Sequence, residues 1–183
     1  MALFLAYSIL ILIAFFSFIV ALLVGASALA IFFTQVPFAP TPKKNVRLII
    51  DQFELKPGQI FYDLGCGDGR FLIEAEKRRA KATGFEISAW AFLRAWLNLK
   101  INHSQAKVEF KNFYQVNLAR ADAVFCFLID SVMTKVEKKL KQELKSGAKV
   151  VCYGFNLLSW PPKKVIELKP GNPKSSKIFL YQK

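Results

Sequence analysis

The chain has 183 residues, a formal net charge of +13 and only three cysteines. About 140 residues follow an apolar N-terminus, which is enough for one domain but not for two. Three cysteines argue against a disulfide framework, and no Cys or His pair has the spacing of metal ligands, so we expect no bound metal. A positive charge of this size is typical of nucleic-acid binding or of contact with anionic lipid headgroups.

Residues 1–35 are predicted to form one membrane-spanning helix. No charged side chain precedes Lys43, and residues 3–33 would form a helix of about 46 Å against a hydrocarbon core of about 30 Å. A cleaved signal peptide is the alternative because residues 28–30 resemble a cleavage site, but the apolar stretch is too long and lacks a basic leader. The first charged residues after the span are basic, so the positive-inside rule places the following domain in the cytoplasm.

This single-pass anchor favours a membrane partner over nucleic acid. It would hold the basic domain beside anionic headgroups, where each nearby Lys or Arg contributes about 1 kcal/mol. An RNA target would also suit a basic surface, but it would not require a transmembrane helix. We therefore expect the anionic membrane surface, and not nucleic acid, to be the partner of the basic domain.

Residues 36–44 form a proline-rich linker, and residues 41–183 are predicted to form the soluble domain. The domain begins with a helix over residues 41–53, for which Thr41 is a plausible N-cap and Pro42 a first helical residue. Strands and helices then alternate, which predicts an α/β fold with a Rossmann-like, doubly wound sheet and a trimmed C-terminus. The predicted strands are residues 60–64, 82–85, 107–110, 123–128 and 149–153, the helices are residues 69–79, 89–101 and 132–144, and a closing hairpin-like pair is residues 164–168 and 177–181.

A glycine-rich turn follows the first strand of this domain. Residues 60–70 read Ile-Phe-Tyr-Asp-Leu-Gly-Cys-Gly-Asp-Gly-Arg, an apolar run leading into a turn that opens a helix, which is typical of a cradle for a nucleotide-type cofactor. A dinucleotide would place its pyrophosphate beside the carboxylates of Asp63 and Asp68, which disfavours a dehydrogenase. The cationic sulfonium and ammonium of S-adenosyl-L-methionine suit those acids.

A second acid, Glu86, ends the next predicted strand about 20 residues after the turn. A ribose-binding carboxylate belongs at that position, because it can accept hydrogen bonds from both ribose hydroxyls. The alternative is an acid at the start of the following helix. The glycine turn and Glu86 together favour the ligand.

With these motifs the sequence resembles the class I S-adenosylmethionine-dependent methyltransferases over nearly the whole soluble part. After the third predicted strand, Asn112 stands where the family usually has an acid beside the adenine, and its amide oxygen can still accept from the adenine amino group. Residues 121–129 resemble the family's fourth strand and residues 144–151 its helix end, glycine and fifth strand. The cofactor residues assigned on the motifs and this resemblance are Tyr62, Asp63, Gly65, Gly67, Asp68, Gly69, Glu86, Asn112, Phe113 and Phe127.

A closer resemblance comes from the proline-rich linker, which lies between an apolar anchor and the first helix of the domain. This order resembles the membrane-anchored lysine methyltransferases that modify the adenine nucleotide translocase and the ATP synthase c-subunit, and their prokaryotic relatives. Two segments depart from that family. Residues 128–130 read Leu-Ile-Asp instead of Leu-Leu-Pro, and residues 152–155 read Cys-Tyr-Gly-Phe instead of Ser-His-x-Phe. Both lie where acceptor specificity is set.

The resemblance implies in-line methyl transfer to a neutral amine, which depends on positioning and a dry pocket. Asp130 is the candidate for orienting the amine or receiving its proton, with a stabilising acid at a helix N-terminus as an equal alternative. Phe38 in the linker is expected to fold over the site, with simple packing as its alternative. The expected walls of the substrate pocket are Phe127, Tyr153, Phe155 and Trp160.

The leading hypothesis that this resemblance implies is thus a membrane-tethered methyltransferase whose acceptor is a lysine on a membrane protein. A methyltransferase acting on a lipid, a quinone or another small molecule is the second, and a larger, wholly apolar pocket would favour it. The third is a non-catalytic module that binds S-adenosyl-L-methionine. Tight cofactor binding without any methylated product would favour that third hypothesis.

Overall fold

The computed structural model describes residues 1–34, 41–172 and 175–183. A long helix, α1 (Ala2–Thr34), precedes an α/β domain whose strands form one sheet. The strands are β1 (Ile60–Leu64), β2 (Lys81–Glu86), β3 (Lys107–Phe110), β4 (Ala123–Cys126), β5 (Lys149–Tyr153), β6 (Lys164–Glu167) and β7 (Lys177–Gln182). The helices of the domain are α2 (Lys43–Asp51), α3 (Arg70–Glu76), α4 (Ala89–Ile101) and α5 (Asp130–Glu143), with a short 3-10 turn at Phe113–Gln115.

Helix α1 is apolar on all sides. Its stretch Phe4–Ala26 is long and apolar enough to cross a membrane, and the described side chains of this stretch are exposed or half-buried. A helix that is hydrophobic all round needs an apolar environment. By length and composition, α1 can therefore serve as one membrane span.

The sheet has the order β3-β2-β1-β4-β5-β7-β6. Strands β1 to β5 are parallel, whereas β7 runs antiparallel to both β5 and β6. The doubly wound sheet and the closing antiparallel pair are both confirmed. The strand order reverses between β1 and β4, and a ligand crevice forms at the carboxyl ends of the strands at such a point.

The core lies in two layers, one on each face of the sheet. Helices α2, α3 and α4 cover one face, where the rings of Phe71 and Phe125 stack at 4.0 Å between centroids. Helix α5 covers the other face, and its buried Met133 and Leu140 pack into the cluster that contains Val150. Each face of a parallel sheet is thereby removed from water, as the apolar runs in β4 and β5 require.

Several predicted boundaries were wrong by a few residues. Helix α3 ends at Glu76 because the chain turns after it, with Arg79 in the left-handed region at φ 61°. Strand β4 ends at Cys126, and α5 already begins at Asp130. The N-cap of α2 is Pro42 and not Thr41, since Pro42 is still extended, at ψ 132°.

The three cysteines are free and buried. Cys126 and Cys152 are paired in register on neighbouring strands, with their sulfur atoms 3.3 Å apart. Burial, together with the nearby acids, raises the pKa of the Cys66 thiol well above its usual value. The cysteines therefore act as apolar fillers and not as thiolate nucleophiles.

Glu137 of α5 is a buried acid that fixes the segment after β5. Its carboxylate accepts hydrogen bonds from the backbone N–H of Ser159 at 3.0 Å and from the Ser159 hydroxyl, and it pairs with Lys141 at 2.7 Å. Burial alone would raise the pKa of Glu137, but the hydrogen bonds from Lys141 and Ser159 outweigh burial and lower the pKa from 4.5 to about 2. The folded state therefore prefers the ionised acid.

Glu137→Gln is expected to lower the free energy of unfolding near neutral pH by about 1–3 kcal/mol, because Lys141 and the two Ser159 donors lose a charged acceptor. The stabilisation is present above pH 4.5 and is lost as the pH falls towards about 2, since the folded pKa lies below the unfolded one. Melting curves of the detergent-solubilised chain over this range measure it. Glu109→Gln, at an exposed position of β3, is the control. An unchanged melting temperature for Glu137→Gln at neutral pH would contradict the role of this carboxylate.

Candidate active site

The glycine turn lies at the carboxyl end of β1 and is pinned to the neighbouring strand. The N–H groups of Gly65 and Cys66 both donate to the carbonyl of Phe85, at 2.9 and 3.1 Å. Gly65 has φ 81°, and a Cβ atom there would lie 3.3 Å from Leu128. Gly69 caps α3 in the left-handed region. Glycine is thus required at position 65 both by the backbone conformation and by the close approach of the loop after β4.

Asp63 lies beneath this turn with an unpaired carboxylate oxygen. It alternates with Tyr62 along β1, so it shares the face of Phe61, which α3 covers. The side chain is buried, and its Oδ2 atom has no hydrogen-bond partner among the described residues. Burial raises the pKa of Asp63 well above its usual value, and the charges of Glu86 and Asp68 add to the effect. A buried acid without a partner is a site that a cation would stabilise.

Glu86 ends β2 and contacts the same turn. Its Oε2 atom accepts from the N–H of Gly67 at 2.9 Å, and its Oε1 atom accepts from Ile87 and Ser88 at 2.9 and 2.8 Å. Burial raises the pKa of Glu86, although these three backbone donors oppose the rise. Since a carboxylate oxygen can accept two hydrogen bonds, Oε2 retains one lone pair for a hydroxyl donor.

The carboxylate of Asp68 in the turn pairs with the guanidinium of Arg70. The Nε atom of Arg70 donates to Asp68 at 2.8 Å, and a second guanidinium nitrogen pairs with the other carboxylate oxygen. Burial would raise the pKa of Asp68, but Arg70 outweighs it and the pKa is lowered. The same guanidinium donates to the backbone carbonyl of Thr41. Arg70 was assigned no role from the sequence, although it stands directly after the third glycine.

Asn112 and Phe113 follow β3 and form the next part of the crevice. The Asn112 side-chain oxygen accepts from the N–H of Tyr114 at 3.0 Å and so caps the short 3-10 turn. One lone pair of that oxygen and the amide N–H groups remain for a ligand. Phe113 is buried next to Asn112 and packs against the Tyr114 ring at 4.4 Å.

An aromatic pair lies at the ends of β4 and β5. The rings of Phe127 and Tyr153 meet edge to face, with 4.7 Å between centroids. Asn45 of α2 donates to the Tyr153 hydroxyl at 3.3 Å, a contact that was not predicted from the sequence. Phe155 is partly exposed just beyond, after Gly154. The pair therefore forms an apolar wall beside the helix by which the chain enters the domain.

Three further predicted site residues lie on the side of the sheet that α5 covers, and these are Tyr62, Trp160 and Asp130. Tyr62 is on the opposite face of β1 and packs against Phe85 at 5.3 Å, and Trp160 packs against Tyr181 near α5. Asp130 is exposed at the first position of α5. Phe38 lies outside the described residues.

The grouped residues fit S-adenosyl-L-methionine. Three glycines in the turn leave its backbone open to a close approach, Asp63 offers a buried and unpaired carboxylate oxygen, and Glu86 retains a hydrogen-bond acceptor for a hydroxyl. Asn112 and Phe113 can contact a purine ring from the neighbouring strand end. The negative pyrophosphate of a dinucleotide would instead lie beside the three carboxylates of Asp63, Asp68 and Glu86.

Comparison with known proteins identifies the family to which the chain is similar. The ANTKMT methyltransferase domain family matches residues 63–164. A protein-lysine N-methyltransferase of Saccharolobus islandicus (strain REY15A) is 37% identical over 80% of this chain and 93% of its own length. The ATP synthase c-subunit lysine N-methyltransferase of Rattus norvegicus is 31% identical over 69% of this chain and 59% of its own length. The adenine nucleotide translocase lysine N-methyltransferase of Mus musculus is 33% identical over 72% and 58%.

Solved structures share the fold. An RNA methyltransferase from Salinibacter ruber, in complex with S-adenosyl-L-homocysteine, has a TM-score of 0.73 and 25% identity over 79% of this chain and 93% of its own. The C-terminal domain of precorrin-6Y C5,15-methyltransferase from Rhodobacter capsulatus has a TM-score of 0.66 at 14% identity, over 80% and 92%. The sheet is therefore that of class I methyltransferases.

Proposed function

The chain belongs to the ANTKMT methyltransferase domain family, and from this premise we propose that it methylates a lysine side chain of a membrane protein. It is an S-adenosyl-L-methionine-dependent methyltransferase. One observation carries the choice of lysine: three relatives that are 31–37% identical over at least 69% of this chain are lysine N-methyltransferases. The rat and mouse relatives act on membrane proteins, and this chain spans little more than half of their length.

The cofactor supplies a methyl group that is activated on a cationic sulfonium. In the proposal, Asp63 balances the positive charge of the bound cofactor, and Glu86 accepts a hydrogen bond from a ribose hydroxyl. Asn112 and Phe113 hold the adenine. Arg70 pairs with the Asp68 carboxylate and so reduces the repulsion between Asp68 and the nearby acids Asp63 and Glu86.

The acceptor lysine must lose its proton, because the ammonium form has no lone pair and its reference pKa is about 10.4. Phe127 and Tyr153 lower the local polarity and so favour the neutral amine. We propose that Asp130 orients the incoming amine or receives its proton from the exposed rim of the site. Phe155 and the linker residue Phe38 are proposed to close the wall around the lysine stem.

Helix α1 is proposed to be a single-pass membrane anchor with the domain on the cytoplasmic side. Its length supports the anchor, and the basic residues that follow it support the orientation. The +13 charge is proposed to act on anionic headgroups and not on nucleic acid.

The test is transfer of radiolabel from S-adenosyl-L-methionine by the purified, detergent-solubilised chain to the host's membrane fraction. We expect label in protein at lysine, and we expect Glu86→Gln to reduce it at least about tenfold. Glutamine offers one carbonyl oxygen to three backbone donors and turns an N–H group towards at least one of them, which costs about 1–3 kcal/mol. Glu109→Gln on the exposed part of β3 is the matched control and should leave the label unchanged.

Each other outcome overturns a stated part of the proposal. Label confined to extracted lipid or to a quinone would establish a small-molecule acceptor. Label in RNA would replace the protein substrate by a nucleic acid. Cofactor binding by calorimetry without any labelled product would establish a binding module without catalysis.

A further inference from the structure

Helix α4 presents an apolar surface away from the sheet. We call this surface the α4 outer face and define it by Trp90, Trp96, Leu97 and Ile101. Trp96 is 46% exposed, Leu97 43% and Ile101 74%. Large apolar side chains at this density on a water-facing helix mark a surface that contacts something else.

The spacing of these residues matches one side of the helix. Positions 90, 97 and 101 differ by seven and four, so they share a stripe. Position 96 lies about 100° around the helix from position 97, and Lys100 lies between the two. The opposite side of α4 carries Ala91, Ala95 and Leu99, which are buried against the domain. Helix α4 therefore packs on the core through one apolar side, and the outer face is a second apolar side that the core does not use.

The charges on α4 have one sign. The helix contains Arg94 and Lys100 and no acidic residue, and the Lys100 ammonium lies 6.0 Å from the Trp96 ring. By contrast, the exposed positions of α5 include Lys135, Lys138 and Gln142, as expected of a face in water. Tryptophan, aliphatic and basic side chains together are typical of helices that lie in the interface of an anionic bilayer.

Helix α4 also contacts α1, the candidate membrane span. The half-buried residues of that span include Val20 and Leu23, which lie near its C-terminal end at Ala26. A span of about 20 residues crosses a hydrocarbon core of about 30 Å, so this end lies where the helix leaves the core. Helix α4, which carries the outer face, therefore lies beside the candidate membrane span.

We propose that the α4 outer face docks on the bilayer, with its apolar side chains at the boundary between headgroups and acyl chains. The proposal rests on the membrane anchoring in the proposed function and adds the surface that orients the domain. Helix α4 begins three residues after Glu86, so docking would hold the cofactor crevice close to the membrane surface. Lysines of membrane proteins near the headgroups would then be within reach.

The chain offers a direct probe, because its three tryptophans are Trp90, Trp96 and Trp160 and α1 has none. Trp160 packs against Tyr181 on the α5 side of the sheet, away from the outer face. Two variants of the whole chain each retain a single tryptophan. The double variant Trp90→Phe and Trp160→Phe retains Trp96, and the double variant Trp90→Phe and Trp96→Phe retains Trp160 as the matched control.

Both variants are reconstituted into vesicles of phosphatidylcholine and phosphatidylglycerol, with or without phosphatidylcholine brominated near the headgroup end of its chains. We expect bromine to quench Trp96 fluorescence about twofold, because an interfacial helix buries its apolar face about 5–10 Å into this boundary. Trp160 should keep its intensity. Flotation of the vesicles on a density gradient reports insertion of α1 independently.

The outcomes separate the two proposals. An unquenched Trp96 in a chain that floats overturns docking and leaves the anchor intact. If the fluorescence of this unquenched Trp96 is also blue-shifted, protein of this chain or of a second copy covers the face instead of lipid. Equal quenching of Trp96 and Trp160 also overturns docking, since it shows no preferred face. A chain that does not float overturns the anchor itself.

Discussion

The Asp63→Asn chain is expected to melt at a higher temperature than the unaltered chain and to bind S-adenosyl-L-methionine at least about tenfold more weakly, where tenfold corresponds to 1.36 kcal/mol. Asp63 is buried, and its Oδ2 atom has no partner among the described residues. Asparagine has nearly the same shape but carries no charge, so it removes the cost of burying the acid. It also removes the anionic oxygen that a cationic ligand needs.

The stability gain should depend on pH. The pKa of Asp63 is raised in the folded state, so the unfolded chain releases this proton first as the pH rises above the usual value of 3.8. Stability is therefore lost as the pH rises from about 4 through the raised pKa, and the asparagine variant lacks that loss. The asparagine variant is therefore expected to melt at a higher temperature near neutral pH, and this difference should vanish near pH 4.

Scanning calorimetry of the cofactor-free chain in detergent and titration calorimetry with S-adenosyl-L-methionine measure the two effects. In the unaltered chain, the affinity should rise with pH over the same range, because the cation favours the ionised acid. Asp51→Asn is the matched control, since Asp51 is half-exposed and pairs with Arg78 at the surface. An Asp63→Asn chain that melts lower, or that binds as well as the unaltered chain, would refute this assignment.

Gly84→Ala is the second prediction with a large expected effect, and it is expected to displace the glycine turn. A Cβ atom at Gly84 would lie 2.5 Å from the Cβ and 2.6 Å from the sulfur of Cys66, and 2.8 Å from Leu72. Gly84 is also the register partner of Asp63 on β1. Such overpacking costs about 1–3 kcal/mol or more, and relieving it would displace both the glycine turn and the buried acid. We expect a clear fall in melting temperature and no measurable cofactor binding.

Two variants make this prediction specific. Gly25→Ala in α1 adds the same methyl group where nothing lies within 4 Å, and it should behave as the unaltered chain. Adding Cys66→Ala to Gly84→Ala removes the sulfur contact and should restore part of the stability. Equal melting temperatures for Gly84→Ala and the unaltered chain would show that the turn yields more easily than its packing suggests.

Most of the fold was predictable from hydrophobic patterning. Strands β1, β3 and β5 and helix α4 have the predicted bounds. The ends that moved are those where local chemistry decides. The start of α5 depends on an acid that stabilises the first turn, and the end of α3 depends on a left-handed arginine. Neither leaves a periodic signal in the sequence.

The site was predictable where backbone requirements select the residue. Gly65 and Asp63 lie where strand, turn and helix bring them together, and Glu86 contacts the same turn. Side chains that depend on distant partners were not predictable. The contact between Trp160 and Tyr181, for example, joins residues 21 positions apart. Asn45 reaches Tyr153 across 108 positions, a pairing that follows only from the packing of α2 on the sheet.

The hydrogen bond from Arg70 to the carbonyl of Thr41 limits the length of chain between helix α1 and the cofactor turn. Helix α1 ends at Thr34, so the chain has seven residue steps before it is fastened to the glycine turn, which is at most about 25 Å when fully extended. In the proposed anchored enzyme, enzyme and acceptor would meet in a thin layer along the bilayer and not in bulk solution. Its catalytic efficiency would then depend on the number of acceptors per unit of membrane area, and diluting the vesicles at a fixed lipid composition would leave the turnover rate unchanged.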